Sequence, residues 1–296
     1  LNHIINFIKI DNATCKIIIL CNFLFPEQNS KSLSNNNTLL SATAKPVLKL
    51  IDLNLSNSQL YNIPNSLNML KELLKKLYVS QNKLNQLPSN LGNLLNLEVL
   101  SLNTNHLTNL PDSCAKLNKL EVLYLNDNKF KWIPNCISKG MKNLQILEFS
   151  CNNFFTTMPI NTKKILSSLK TIDICNTGLS SIPEMINKFT NLSELNLGYN
   201  NIFFLPEEIC SLKNLSRLII NNNHLTNLPE NIGELTLLEE LKLRHNYLNE
   251  LPESIKLLHN LKYIDLYNNE FEMAPEIIFN LPNLKGLDFE QNYFST

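Results

Sequence analysis

Histidines, cysteines and glycines, from which many metal, redox and phosphate sites are built, are scattered along this chain of 296 residues. No two of the five histidines have the four-residue helical spacing of a zinc hydrolase: they are His3, His106, His224, His245 and His259. The six glycines are too far apart to form a phosphate-binding loop. We find no nucleophile beside a base. The sequence therefore predicts no catalytic residue, metal site or cofactor, and we expect a protein that is not an enzyme.

One repeated phrase organises most of the chain and must position whatever site exists. The pattern L-x-x-L-x-L-x-x-N-x-L-x-x-L-P occurs eleven times with minor substitutions, mostly 23 residues apart. The copies begin at Leu50, Leu74, Leu97, Leu120, Leu144, Leu169, Leu192, Leu215, Leu238, Leu261 and Leu284. A fixed period of this length indicates a repeat architecture in which each unit stacks on its neighbours.

The slots of each copy predict its local structure. Leu100 and Leu102 are two residues apart, so in an extended strand they share one side while Val99, Ser101 and Asn103 lie on the other. Proline in the fifteenth slot suits the start of a short helical or 3₁₀ segment. Too few apolar residues remain in one copy to form a core, so the copies must share one. We therefore predict an α/β solenoid with a parallel sheet.

Asparagine fills the ninth slot in nine of the copies. Its amide has two donors and an acceptor, enough to bond backbone groups left unpaired where the chain leaves a strand. Ser58 and Thr177 replace it in the first and sixth copies, where we expect the ladder to be weakest. The predicted structural ladder is Asn82, Asn105, Asn128, Asn152, Asn200, Asn223, Asn246, Asn269 and Asn292.

The phrase resembles the leucine-rich repeat over residues 47–296. A Leu-Pro pair followed by an apolar residue three positions on, as in Leu205, Pro206 and Ile209, resembles the intracellular Ras-regulating and Scribble-like scaffold class. The resemblance implies a horseshoe with the parallel sheet on its concave face and short helical or 3₁₀ segments on its convex face. It also implies a role in signalling, without naming a partner.

Slots three, five and seven predict the residues of the concave face. Copies five to seven carry carboxylates edged by a tyrosine, which favours a basic peptide or helix as partner. Copies nine to eleven are mixed in charge and rich in tyrosine and arginine, residue types enriched at binding hot spots. The candidate concave residues are Tyr124, Glu148, Asp173, Glu194, Lys242, Arg244, Tyr263, Asp265 and Tyr267.

A second candidate surface comes from slots twelve and thirteen, which are usually polar here. Four aromatic residues occupy these slots on one predicted rim: Trp132, Phe155, Phe203 and Phe204. Met273 lies further along the same rim. Exposed apolar patches of this kind mark protein contact sites, although some rings could instead fold back between repeats.

Charge and cysteine content bound the setting. The 26 basic and 26 acidic residues balance, so no global field attracts nucleic acid. The seven cysteines are scattered and form no cluster at either end, which favours reduced thiols and a cytoplasmic location. Cys151 and Cys175 fall in adjacent copies and could form a redox pair, but two free thiols are the expectation.

The ends lie outside the clear period. Residues 1–25 include an apolar stretch too short to span a membrane. We interpret them as a cap, with a targeting segment and an upstream fragment or mistranslated stretch as the alternatives. Residues 26–46 read as a polar linker.

The fifth copy has one residue too many, which predicts an irregularity at 154–168. The eleventh copy is incomplete, so its edge could pair with a partner or a second copy.

These observations predict a non-enzymatic protein-interaction module, acting as an intracellular signalling scaffold or regulator. One alternative is a receptor ectodomain or secreted recognition protein, which would require the first 25 residues to be a signal. Another is the sensor arm of a larger, truncated signalling enzyme.

Overall fold

The computed structural model describes residues 52–153 and 167–294, which form an eleven-stranded parallel sheet in sequential order. The predicted segments 1–25 and 26–46, Phe155 and nearly all of the expected irregularity at 154–168 lie outside the described residues. The strands are β1 (Asp52–Asn54), β2 (Lys76–Tyr78), β3 (Val99–Ser101), β4 (Val122–Tyr124), β5 (Ile146–Glu148), β6 (Thr171–Asp173), β7 (Glu194–Asn196), β8 (Arg217–Ile219), β9 (Glu240–Lys242), β10 (Tyr263–Asp265) and β11 (Gly286–Asp288).

The opposite, convex side consists of short helical segments. A proline precedes most of them with φ near the value its ring imposes, as at Pro206 with φ −70°. One is a single α-helix, α1 (Asn135–Gly140). The others are 3₁₀ segments at Asn65–Leu70, Leu91–Asn93, Asp112–Lys116, Glu184–Lys188, Glu207–Ser211, Ile232–Glu234, Glu253–Leu257 and Glu276–Asn280. The predicted solenoid is confirmed. None of the helices in the described ranges has the length and apolar character needed to cross a bilayer.

The core lies between sheet and convex segments and is shared by all repeats. In the third copy Leu97, Leu100, Leu102 and Leu107 are completely buried. Each strand pairs in register with the next, so Leu100 lies beside Leu123. Burial of one leucine side chain stabilises the fold by about 1.5–3 kcal/mol, and the repeat places several in every turn of the solenoid.

The ninth-slot asparagines join neighbouring repeats, and all of them are buried except Asn292 of the last repeat, which is half-buried. Asn128 donates from Nδ2 to the carbonyl of Leu102 in the preceding repeat at 3.0 Å and to Leu125 in its own at 3.2 Å. Its Oδ1 accepts the Leu107 N–H at 3.0 Å. Thr177 bonds Ile174 and Asn200 instead, and its hydroxyl has one proton where an amide has two.

The turn before the ladder has a backbone feature that the slot analysis did not predict. The residue preceding each ladder position is left-handed, with φ between 51° and 60°. Most are Asn, Asp, Gln or other unbranched residues, but Thr104, with φ 53°, is β-branched. Left-handed backbone costs an L-residue about 1–2 kcal/mol, so this turn stores strain that the ladder hydrogen bonds offset.

A second row of asparagines lies just before the first leucine of several copies. Each side chain donates to a backbone carbonyl in the preceding repeat, as Asn260 does to Thr236 at 2.7 Å. The row comprises Asn96, Asn143, Asn191, Asn214, Asn260 and Asn283. These contacts give part of the chain's 49 asparagines a structural role.

Candidate protein-binding surfaces

The outer two residues of each strand face away from the core and form the concave face. In β4, Leu123 is completely buried, whereas Val122 and Tyr124 beside it are half-buried. The same alternation places Glu148, Asp173, Glu194, Lys242, Tyr263 and Asp265 on one sheet surface. Arg244 and Tyr267 follow two residues after their strands.

Tyr124, Glu148 and Asp173 stand side by side in β4, β5 and β6, as the strand register requires, and we call them the acidic strip. Asn126 donates to Oε2 of Glu148 at 2.7 Å. The Ser150 hydroxyl and the Cys175 N–H both donate to Oδ1 of Asp173. These bonds hold both carboxylates against the sheet and fix their orientation.

Burial raises the pKa of the Glu148 carboxyl above its ordinary value. The nearby Asp173 and Glu194 carboxylates raise this pKa further, while the Asn126 hydrogen bond opposes the change. Burial, followed by the charge of Glu148, likewise raises the pKa of the Tyr124 phenol. The acidic strip is thus partly buried and carries two neighbouring carboxylates, so it would stabilise a bound cation.

Glu194, predicted as a third member of the strip, is held by the protein itself. Arg217 of β8 donates a hydrogen bond to Oε1 of Glu194 at 3.0 Å, and its Nε forms an ion pair with Oε2 of Glu240 at 2.6 Å. Lys242 pairs with the other oxygen of Glu240 at 2.6 Å. The acidic strip is therefore shorter than the sequence indicated. Arg217 was missed, although Glu194, Arg217 and Glu240 alternate in sign at a 23-residue spacing.

The mixed-charge region around β10 is also partly occupied internally. The Arg244 guanidinium lies 4.8 Å from the Tyr267 ring centroid, and its Nε is 3.9 Å from Asp265. Tyr263 remains 52% exposed. In this region Tyr263 and the outer face of Arg244 are what a partner could contact.

Three of the four rim residues predicted from slots twelve and thirteen lie within the described ranges, and all three are exposed. Trp132 is 44% exposed, Phe203 55% and Phe204 61%. Trp132 belongs to the fourth copy and the two phenylalanines belong to the seventh, so the fifth and sixth copies lie between them. Phe203 instead contacts His224 of the next copy, with ring centroids 5.1 Å apart. The sequence did not indicate that His224 would join the rim.

The chemistry of the cysteines fits structural thiols. Within the described ranges all five are free: Cys114, Cys136, Cys151, Cys175 and Cys210. Burial raises the pKa of the Cys175 thiol to about 11, and the charge of Asp173 and then that of Cys151 add to it. This thiol is neutral at pH 7 and is a poor nucleophile or metal ligand. Nowhere in those ranges do three His, Cys, Asp or Glu side chains lie close enough to hold a metal ion.

Two sequence profiles match the chain. One, described as a leucine-rich repeat region, matches residues 150–246, and another, described as a leucine rich repeat, matches residues 72–130. No protein of curated function matches the sequence.

Solved structures with the same architecture include receptors. The chain is similar to a TDR receptor, with 26% identity, a TM-score of 0.67, and coverage of 82% of this chain and 47% of that one. It is similar to the plant peptide hormone receptor RGFR1 in complex with RGF2, with 28% identity, a TM-score of 0.63, and coverage of 78% and 42%. The chain thus spans less than half the length of these receptor structures.

A third structure supports the fold alone. It is the octameric complex of Latrophilin 3, Unc5D and the repeat domain of FLRT2, at 23% identity and a TM-score of 0.68, covering 89% of this chain and 80% of that one. The repeat geometry, the two profiles and these structural likenesses together show that the chain is a leucine-rich repeat protein.

Proposed function

We propose that this chain is a non-enzymatic protein-binding module whose concave face takes a basic peptide segment at the acidic strip. The observation that carries the proposal is the placement of Tyr124, Glu148 and Asp173 on three adjacent strands of one continuous sheet. Among the described residues, no lysine or arginine forms an ion pair with either carboxylate.

A lysine or arginine bound between Glu148 and Asp173 would form charge-assisted hydrogen bonds with both. It would also remove the like-charge repulsion that helps to raise the pKa of Glu148. The Tyr124 ring beside them adds a face for the aliphatic or cationic part of the same side chain. The paired Glu194 contributes little, because Arg217 already neutralises it.

Two settings for this activity have separate support. The Leu-Pro repeats and the free thiols support a signalling scaffold or regulator in the cytoplasm. The likeness to RGFR1 with its peptide RGF2 supports the alternative of a receptor ectodomain. A mass shift on glycosidase treatment of protein from the native cell would favour the ectodomain.

A third setting is the sensor arm of a longer signalling enzyme. It is compatible with the same concave binding site, because the acidic strip uses only residues of the repeat domain. The full gene sequence on both sides of this chain would decide it.

The test is a crosslinking pull-down from the native cell that compares wild type with the double variant Glu148→Lys, Asp173→Lys. We expect the variant to lose one partner that presents a basic segment. The matched control, Glu72→Lys with Glu184→Lys, makes the same change in charge at exposed positions away from the strip. An identical partner list for wild type and the strip variant would refute the proposal.

A further inference from the structure

A row of stacked aromatic rings lies along one edge of the solenoid. The rings belong to the turns that directly follow the ninth-slot ladder positions. Phe203, His224 and Tyr247 come from three consecutive repeats. The Phe203 and His224 ring centroids are 5.1 Å apart, and those of His224 and Tyr247 are 5.7 Å apart with nearly parallel planes. Phe203 is 55% exposed and Tyr247 47%. The three rings together form an aromatic surface that none of them provides alone.

The same edge continues into a groove over the ninth to eleventh repeats. The tenth-slot residues remain tied from turn to turn, since the Glu270 N–H donates to Leu248 and the Tyr293 N–H to Phe271. The groove has a volume of about 820 Å³. Its walls include Met273, which is 79% exposed, and Tyr293, which is 70% exposed. The aromatic row and the groove are therefore one extended surface.

The groove is strongly acidic. No lysine or arginine is among its described lining residues. Five exposed glutamates line it: Glu250, Glu253, Glu270, Glu272 and Glu276. Glu253 pairs with Lys256 at 3.1 Å, outside the lining. The other four form no ion pair within the part of the chain that the structure describes. The electrostatic complement of such a groove is a cationic segment.

We propose that this edge binds a peptide segment whose lysine or arginine pair enters the glutamate groove while an aromatic ring packs on the Phe203–His224–Tyr247 row. At about 4.8 Å per repeat, the seventh and tenth copies are roughly 15 Å apart. An extended peptide covers that distance in four to five residues, at about 3.3 Å each. The occupant is thus a basic motif with an aromatic residue four or five positions away. The surface is built from turns, and it is separate from the strand residues of the acidic strip.

The test uses fluorescein-labelled ten-residue peptides, each with one phenylalanine placed two, four, five or eight residues from a Lys-Arg pair. Fluorescence polarisation measures their affinity. We expect micromolar dissociation constants for the four- and five-residue spacings, and at least tenfold weaker binding at eight residues or with serine in place of phenylalanine. Equal affinity for all spacings, or no binding above a peptide with serine in place of Lys-Arg, would overturn the proposal.

Two variants locate the binding. Glu270→Gln with Glu272→Gln, and separately Phe203→Ser with Tyr247→Ser, should each weaken the best peptide at least tenfold. All four side chains are exposed, so folding should be retained, which matching melting curves would show. The control Glu72→Gln with Glu184→Gln removes two exposed carboxylates away from both surfaces and should leave this affinity unchanged. Loss of affinity in the strip variant Glu148→Gln with Asp173→Asn, with none in the edge variants, would assign the peptides to the concave face and reject this site.

Discussion

The ninth-slot ladder should carry a large share of the stability, and Asn223→Ala tests this at a buried position that is 4% exposed. The asparagine donates to the Leu197 carbonyl at 3.0 Å and to the Ile220 carbonyl at 3.2 Å. Its Oδ1 accepts the Ile202 N–H at 3.0 Å. Alanine leaves the Ile202 N–H without this partner and removes one of the two amide bonds to each carbonyl, because Leu197 and Ile220 still accept from Asn200 and Asn246.

The orphaned Ile202 N–H costs about 1–3 kcal/mol and each of the two lost amide hydrogen bonds about 0.5–1.5 kcal/mol, so we expect the free energy of unfolding to fall by roughly 2–6 kcal/mol. That is a large fraction of the 5–15 kcal/mol typical of a domain. Asn223→Thr should cost about half as much, because a threonine hydroxyl can still donate to one carbonyl, as Thr177 does to Ile174.

Urea-induced unfolding followed by circular dichroism measures both losses. The matched control is Asn227→Ala, four residues away and exposed, which should change the unfolding free energy by less than about 0.5 kcal/mol. A loss below about 1 kcal/mol for Asn223→Ala, or an equal loss for the control, would refute the ladder argument.

Three further outcomes follow from the geometry. Thr104→Asn should raise the unfolding free energy by about 1 kcal/mol, because asparagine tolerates the left-handed backbone that strains a β-branched residue. Gly233→Ala should lower it by about 1–3 kcal/mol or more, since a Cβ there would lie 2.0 Å from the Ser254 carbonyl oxygen. Glu148→Gln should stabilise the protein at pH 7 but not below the ordinary pKa of a carboxyl. In the wild type the folded-state pKa of Glu148 is raised, so the wild-type protein loses stability as pH rises through the unfolded-state pKa and then the folded-state pKa of this carboxyl.

Controls separate these causes. Thr108→Asn, on an exposed turn, should leave stability unchanged, and so should Glu230→Ala near the crowded glycine. Equal effects of Thr104→Asn and Thr108→Asn would contradict the strain argument. Normal stability of Gly233→Ala would contradict the crowding argument. A stabilisation by Glu148→Gln that persists unchanged at pH 3 would show that charge burial is not its cause.

The repeat made the fold predictable from sequence because one short pattern is read eleven times. Leucines at the strand slots and proline before each convex segment act locally, so each copy specifies its own strand and turn, and stacking follows from the shared core. Features within a single turn were less visible. The left-handed residue before each ladder position has no fixed identity, being Thr104 in one copy and Tyr199 in another. The residue type therefore does not predict the left-handed backbone.

Surface pairing was the harder part. The register that places Glu148 beside Asp173 follows from the period, but whether a carboxylate is free depends on side-chain reach across a repeat. Arg217 is long enough to contact Glu194 and Glu240 at once, which removes one predicted member of the strip. The stacking of His224 between Phe203 and Tyr247 likewise depends on the distance between turns.

The most direct test of the central claim is site-specific photocrosslinking of the native partner. Benzoylphenylalanine replaces either Tyr124 on the concave face or Phe279, which is 57% exposed on the convex side. The concave-site account predicts a crosslinked partner peptide rich in lysine or arginine from position 124 and none from position 279. Crosslinks from position 279 alone would contradict it.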